Sequence, residues 1–309
     1  MPEPRRDRSV GYVLVATLLF SFIGPVAKLV PLDAGAISFF RAAFALLALA
    51  PLALLGVGPF ARPLALSGLF AVDGEIRLRA ISLHVALGLL LGANWYFYVL
   101  AVQVSSVALA VICLFTYPLF TALLEPLFFS EPFRLADVMA GIGVLAGVFV
   151  MVERGSSNDA SLLGASYGVL SALGFTLRNL LSRRAVRAHS AESLALVQFA
   201  VVACVFSPFL LGMTRVPDAR DLLLLALLGG GLTMLSQLLF IAALRQLSTT
   251  LASLIVSLQP VLAILFAFVL LGEMPGARTL IGGALVLAAV VLALVSSARR
   301  RRSSAPRVA

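Results

Sequence analysis

Of 309 residues, 61% belong to the apolar set AVILMFWYC and 12% are Asp, Glu, Lys or Arg, where a soluble domain carries roughly 25% charged residues. So few charges cannot cover so much apolar surface in water, which excludes soluble, disordered and fibrous classes and leaves an integral membrane protein in a lipid bilayer. The net charge is +9, yet the basic residues stand mostly between apolar runs, where they act as a topology signal; no nucleic-acid partner is expected.

A membrane-spanning helix needs about 20 mostly apolar residues. Ten stretches qualify in chain order: Val10–Val30, Gly35–Leu55, Ile81–Val102, Ser106–Phe129, Leu135–Val152, Leu162–Leu181, Ser193–Leu211, Leu222–Leu244, Thr249–Leu271 and Thr279–Ser296. The segment Ala80–Leu124 contains no Asp, Glu, Lys or Arg and is too long for one span. Its turn is placed at Gln103-Val104-Ser105-Ser106, matched later by Arg245-Gln246-Leu247-Ser248. The first run follows Arg5, Arg6 and Arg8, but it is long enough to span and no Ala-x-Ala site ends it, so it reads as a span and not as a cleavable signal.

With the N-terminus in the cytoplasm and ten alternating spans, 16 basic residues fall in inner segments and 4 in outer ones. That bias places both termini in the cytoplasm, and the expected setting is a bacterial cytoplasmic (inner) membrane. Residues 1–9 and 298–309 are basic tails, and the run Arg299–Arg302 reads as an anchor at anionic lipid.

The chain also matches itself. An offset of 142 residues between Ala101 and Val152 gives 12 identities over 52 ungapped positions, among them Ser106 with Ser248, Pro118 with Pro260, Glu131 with Glu273 and Gly141 with Gly283. Earlier, an offset of 155 pairs Tyr12 with Tyr167, Phe20 with Phe175 and Lys28 with Arg183. An offset of 157 then pairs Arg41 with Gln198 and Pro51 with Pro208. The expected fold is therefore all-α and polytopic: ten transmembrane helices as two five-helix repeats, 10–153 and 162–297. Five is odd, so the second copy enters from the opposite side. Inverted repeats of this kind recur in secondary transporters, whose substrate sites lie near the midplane where the copies meet.

At this point the chain resembles the EamA family of the drug/metabolite transporter superfamily. The pattern Ala101-Val-Gln-Val-Ser-Ser106, Ala110, Tyr117-Pro118, Glu131 and Gly141 stands again as Ala243-Leu-Arg-Gln-Leu-Ser248, Ala252, Gln259-Pro260, Glu273 and Gly283, with Arg41 and Gln198 in the second and seventh helices. The resemblance covers about Gly11 to Val295. It implies a carrier with both termini inside and a central cavity between the halves, for amino acids, their analogues, vitamins or other small metabolites, without fixing which.

Several residues invite chemistry. Pro118 and Pro260 fall near the middle of their spans, where each removes a backbone hydrogen bond. Such breaks are tolerated where buried or facing a watery cavity, so they read as kinks lining a pathway or as packing kinks. Arg41 stands about 9 Å inside its helix end at 1.5 Å per residue. At that depth it needs a partner or water: it either meets a substrate carboxylate or forms a structural contact, snorkelling outward included. Lys28 and Arg178 lie close enough to helix ends to snorkel.

Glu125, roughly 6 Å from the inner end of its span, is either a carrier for a coupled proton or a structural partner of a basic residue such as Arg178. Glu131 and Glu273 read as structural carboxylates at the starts of the helices that follow.

Trp95, Tyr96 and Tyr98 sit deep in the third helix beside Asn94. Gln237 stands opposite Trp95 in the repeat, and Tyr117 opposite Gln259. The substrate wall is therefore expected from Arg41, Trp95, Tyr98, Tyr117, Gln237 and Gln259, shaped for a small amphipathic solute; tight helix packing is the alternative.

Gly88-x-x-x-Gly92 and Gly143-x-x-x-Gly147 have the spacing that lets helices approach closely. Cys113 and Cys204 read as small buried hydrophobes, with no disulfide framework, metal site or cofactor implied. His84 and His189, near or beyond the inner face, form no ligand cluster.

Three functions compete. A secondary transporter of small metabolites fits the repeats. A channel or a non-transporting assembly subunit shares the architecture. An intramembrane enzyme needs a nucleophile, base or metal set at depth, which these positions do not supply, and no phosphate-binding loop for direct ATP drive occurs.

Overall fold

The computed structural model describes residues 3–55, 74–129, 135–151, 158–185, 191–244, 247, 252 and 255–303. Within them every regular element is a helix. In chain order these are α1 (Glu3–Leu29), α2 (Ala34–Leu55), α3 (Gly74–Val104), α4 (Val107–Leu114), α5 (Tyr117–Phe129), α6 (Leu135–Met151), α7 (Asn158–Ala185), α8 (Ala191–Phe206), a short 3-10 helix (Ser207–Leu210), α9 (Ala219–Ala226), a π-helical stretch (Leu227–Leu235), α10 (Ser236–Leu244), α11 (Gln259–Leu271) and α12 (Ala277–Ser303).

Six helical stretches are long and apolar enough to cross a membrane: 8–29, 34–51, 81–104, 107–129, 160–182 and 219–240. Shorter apolar helices run over 141–151, 194–210, 259–271 and 277–289, at the places expected for the fifth, seventh, ninth and tenth spans. Leu47, Phe149, Leu223 and Val269 stand largely exposed. On an apolar helix whose backbone bonds close internally, that is the surface lipid covers.

The fourth and ninth expected spans are not continuous kinked helices. Pro118 cannot donate to the carbonyl of Leu114, and the chain turns at Phe115 and Thr116 before α5 begins. The turn pairs its own polar groups: the N–H and the hydroxyl of Thr116 donate to Cys113 O at 3.1 and 2.7 Å, and Leu119 N–H donates to Thr116 O at 3.0 Å. Pro118 becomes the second residue of a new helix, where its missing N–H leaves no bond unmade. Pro260 is likewise the second residue of α11, after a turn in which Leu258 N–H donates to Ile255 O at 3.1 Å.

The eighth stretch also departs from a plain helix. Between α9 and α10 the turns widen to a π-helix around Gly229-Gly230-Gly231. Gly229 lies against α2 so closely that a Cβ there would stand 2.5 Å from Arg41 O and 2.7 Å from Phe44 Cβ. The Thr233 hydroxyl donates to Leu228 O, five residues back, at 2.7 Å, consistent with the wider turn.

Glu273 caps a different helix from the one expected. Gly272 takes the left-handed conformation (φ 68°) and ends α11, its N–H donating to Phe268 O at 3.0 Å. That turn directs Glu273 away from α12 and onto the N-terminus of α4, where its Oε2 accepts from Val107 N–H at 2.9 Å. The other carboxylate oxygen pairs with Lys28, whose Nζ also donates to Ser105 O at 2.6 Å. Lys28 therefore closes a joint between α1, the α3–α4 turn and the α11–α12 turn instead of snorkelling. Glu131 and His189 lie outside the described residues. Cys113 is buried as expected; Cys204 is exposed on α8.

Glycines set the closest helix pairs. α3 packs on α7 and on α8, where Gly88 and Gly92 face Val201 and Phe206. α6 packs on α12 where Gly147 meets Gly282, and α1 packs on α10 and α11. The space these pairs leave between them is the site.

Candidate functional site: a central cavity between the helix pairs

A cavity of about 390 Å³ opens where α1, α2, α3, the end of α4, α5, α7, α10 and α11 meet, within the size range of small-molecule sites. Arg41, Trp95, Tyr98, Tyr117, Gln237 and Gln259 all stand on its wall. Tyr96 does not: its ring packs between Phe97, Phe206 and Phe209. Glu125 is half-buried on α5 and is not on the wall. No group of three His, Cys, Asp or Glu that could hold a metal occurs among the described residues.

Arg41 is 4% exposed and does not snorkel. Its Nε donates to Thr233 Oγ1 at 2.7 Å, and its guanidinium carbon lies 3.9 Å from the centroid of the Trp95 ring. Because the Thr233 hydrogen is committed to Leu228 O, the hydroxyl oxygen is free to accept from the arginine. The π-stretch thus presents an oriented acceptor to α2. The indole face adds a cation–π contact worth about 2 kcal/mol when desolvated.

Arg178 likewise turns onto the cavity wall, its Nε donating to Gln198 Oε1 at 2.7 Å. Gln198 is the repeat partner of Arg41 in the sequence. Asn94 ties α3 to α7, its amide donating to Ser171 O at 3.0 Å and to Ser171 Oγ at 2.8 Å.

The two helix restarts are held from across the molecule. Thr176 Oγ1 on α7 donates to Tyr117 O at 3.0 Å. Ser21 Oγ on α1 lies 3.2 Å from Gln259 O and 2.7 Å from Thr17 O, so its single hydrogen is shared. Position 21 maps to 176 and position 117 to 259 under the two sequence offsets. Tyr117 meets Phe175 edge-on at 4.8 Å. Phe20 and Phe175, matched in the repeat, both line the cavity.

Sequence reasoning missed Thr233, Phe175 and Asn179 as site residues and misplaced Arg178. The Phe20–Phe175 match was a signal for one of them. The glycine run before Thr233 marks close backbone approach, but nothing in the sequence announces a π-helix there.

Thr233→Val keeps the shape and removes the acceptor for Arg41. A hydrogen bond to a charged group is worth about 1.5–3 kcal/mol, and the thermal unfolding midpoint of the purified protein is expected to fall accordingly. An unchanged midpoint would show that Trp95 alone holds the arginine.

Comparison with known proteins gives the family and the fold. Residues 8–153 and 162–295 match the model of the EamA-like transporter family. The chain is 26% identical over 220 residues to the uncharacterized transporter YxxF of Bacillus subtilis, covering 68% of this chain and 69% of that protein. It is 24% identical over 214 residues to an S-adenosylmethionine uptake transporter of Rickettsia bellii, covering 69% of this chain and 72% of that one. A solved crystal structure at 20% identity superposes with a TM-score of 0.63 over 95% of this chain and 99% of its own, which speaks to the fold alone.

Proposed function

The chain belongs to the EamA-like transporter family, and on that premise we propose that it is a secondary transporter moving small amphipathic, amino-acid-like solutes by alternating access. The proposed architecture is ten spans in two oppositely oriented halves, 10–153 and 162–297, with both termini in the cytoplasm of a bacterial inner membrane. The family and the apolar helices support an integral membrane transporter. The single observation carrying the finer reading is that the cavity wall is built from matched positions: Trp95 with Gln237, Tyr117 with Gln259, Phe20 with Phe175. The packing of α1 on α10 and α11, echoed by α7 on α3, α4 and α5, supports the same two-half plan. Arg41 is the proposed anchor for a charged end of the solute, with the aromatic wall taking its body. A coupling role for Glu125 gains no support from its position away from the wall. The Rickettsia relative makes S-adenosylmethionine one solute to include in any screen.

Two measurements test this reading. In proteoliposomes, a radiolabelled amino-acid and metabolite panel should contain a solute whose uptake is accelerated by the same unlabelled solute inside. Uptake without such acceleration indicates a channel. Reporter fusions after Arg77, Arg187 and Arg301 should report cytoplasm, and fusions after Gly155 and Asp218 the far side. A far-side signal at Arg187 would remove the ten-span model.

A further inference from the structure

We infer that the central cavity selects an organic anion: a solute with an apolar or aromatic body, one or two acid groups and no cationic group at neutral pH. The inference rests on the reading of this cavity as the transport site and departs from it in substrate class: an amino-acid-like solute carries an ammonium group, for which the described wall residues offer no carboxylate.

The argument is one of charge balance. The cavity wall holds two charged side chains, Arg41 and Arg178, and no Asp or Glu among its described residues. The partners of these arginines are neutral. Arg41 has the Thr233 hydroxyl and the Trp95 face, and Arg178 has the Gln198 amide oxygen. The carboxylates whose ion pairs are described serve elsewhere, Glu273 at Lys28 and Asp218 and Asp221 at Arg215. A cation at membrane depth is costly unless something compensates it. Here the cavity holds two, one from each half of the chain, compensated among the described residues by dipoles and a ring. An incoming carboxylate supplies the missing opposite charge. An incoming ammonium or sulfonium adds a third like charge in a space where water screens little.

The rest of the wall matches this chemistry. Trp95, Tyr98, Tyr117 and Phe175 give a broad aromatic surface for the body of the solute. Each guanidinium is held through its Nε, which leaves the terminal pair of nitrogens as the fork that meets a carboxylate end-on.

Trp95 is the single tryptophan of the chain and stands on the cavity wall beneath Arg41, so its fluorescence reports the site directly. The test uses the full-length purified protein and three probes sharing one body: 4-phenylbutyrate, 4-phenylbutan-1-ol and 4-phenylbutylamine. The carboxylate should perturb the fluorescence at a concentration at least about tenfold below the amine, with the alcohol between; tenfold corresponds to about 1.4 kcal/mol. Arg41→Gln and Arg178→Gln should each shrink that ratio severalfold, while Arg41→Lys, which keeps the charge, should retain most of it. If Arg41→Gln does not fold, Arg178→Gln and Arg41→Lys still decide the matter.

Equal or reversed affinities, a ratio untouched by the glutamine variants, or no response to any probe at millimolar concentration overturns the inference. The accompanying transport reading is scored separately. Counterflow of cations or neutral solutes without carboxylate binding sinks the anion inference and leaves a transporter. Carboxylate binding with no solute showing counterflow keeps the anion site and sinks the transporter.

Discussion

Gly147→Leu is expected to destabilise the protein by about 3 kcal/mol or more, at the upper end of what overpacking costs. A Cβ on Gly147 would stand 2.7 Å from the carbonyl oxygen of Gly282 and 3.0 Å from the backbone nitrogen of Val286. Both obstacles are backbone, so neither can rotate aside. Gly282 faces the mirror problem against Gly147 O and Met151 N. Where lipid competes for every apolar surface, helices associate through such close backbone approach and the dispersion contacts it permits. Substitution therefore parts α6 from α12 along their whole seam. The control is Gly231→Ala, whose new Cβ would meet only the end of the Leu227 side chain at 3.1 Å and should change little. Denaturation of the purified variants, followed by Trp95 fluorescence, checks both. Equal midpoints for the two variants would mean that the α6–α12 seam does not carry stability.

The second large effect is expected at Glu273, whose two oxygens perform separable tasks. One pairs with Lys28, and the other accepts from the first N–H of α4. Both groups are about a fifth to a quarter exposed, so the ion pair itself is worth about 1 kcal/mol or less. The N-terminal acceptor is worth about 1–2 kcal/mol more, as helix caps are. Glu273→Gln should keep the second and lose the first; Glu273→Ala should lose both and cost about 1–3 kcal/mol in all. On the topology proposed above, this joint would be on the outer side, between the first helix of one half and the ninth of the other. Any opening toward that side has to part it. In a chain carrying Ala108→Cys and Cys204→Ser, labelling of the buried position 108 by a membrane-impermeant maleimide should speed up severalfold when Glu273→Gln is added. Unchanged labelling, with the stability loss as described, would make the joint a cap and nothing more.

Much of the wall was legible in the sequence because a repeat samples each position twice. Trp95 and Gln237, or Tyr117 and Gln259, are unremarkable singly; superposed at one offset they mark a common depth and face. Apolar length marked where helices lie, six of them long enough to cross a membrane among the described residues. What stayed hidden depends on contacts between distant segments. Glu273 looks like the cap of the helix after it until the left-handed Gly272 turn sends it to α4. Lys28 and Arg178 looked free to reach headgroups because their depth was readable and their partners were not. The prolines suggested bent helices. The actual break-and-restart required a turn whose polar groups pair locally, and the hydroxyl of Thr116 supplies one of those bonds.

The matched hydroxyls that reach across to the two restarts have a consequence for the resting state. Thr176 devotes its donor to Tyr117 O at 3.0 Å, while Ser21 divides one hydrogen between Thr17 O and Gln259 O, the latter at 3.2 Å. Equivalent positions therefore grip with unequal force. If the halves trade roles during a cycle, as proposed above, two equal grips would leave the inward and outward forms in balance, and a difference of one hydrogen bond would tilt that balance toward one face. Direction, on this view, is written in the differences between the copies, as their likeness writes the pathway.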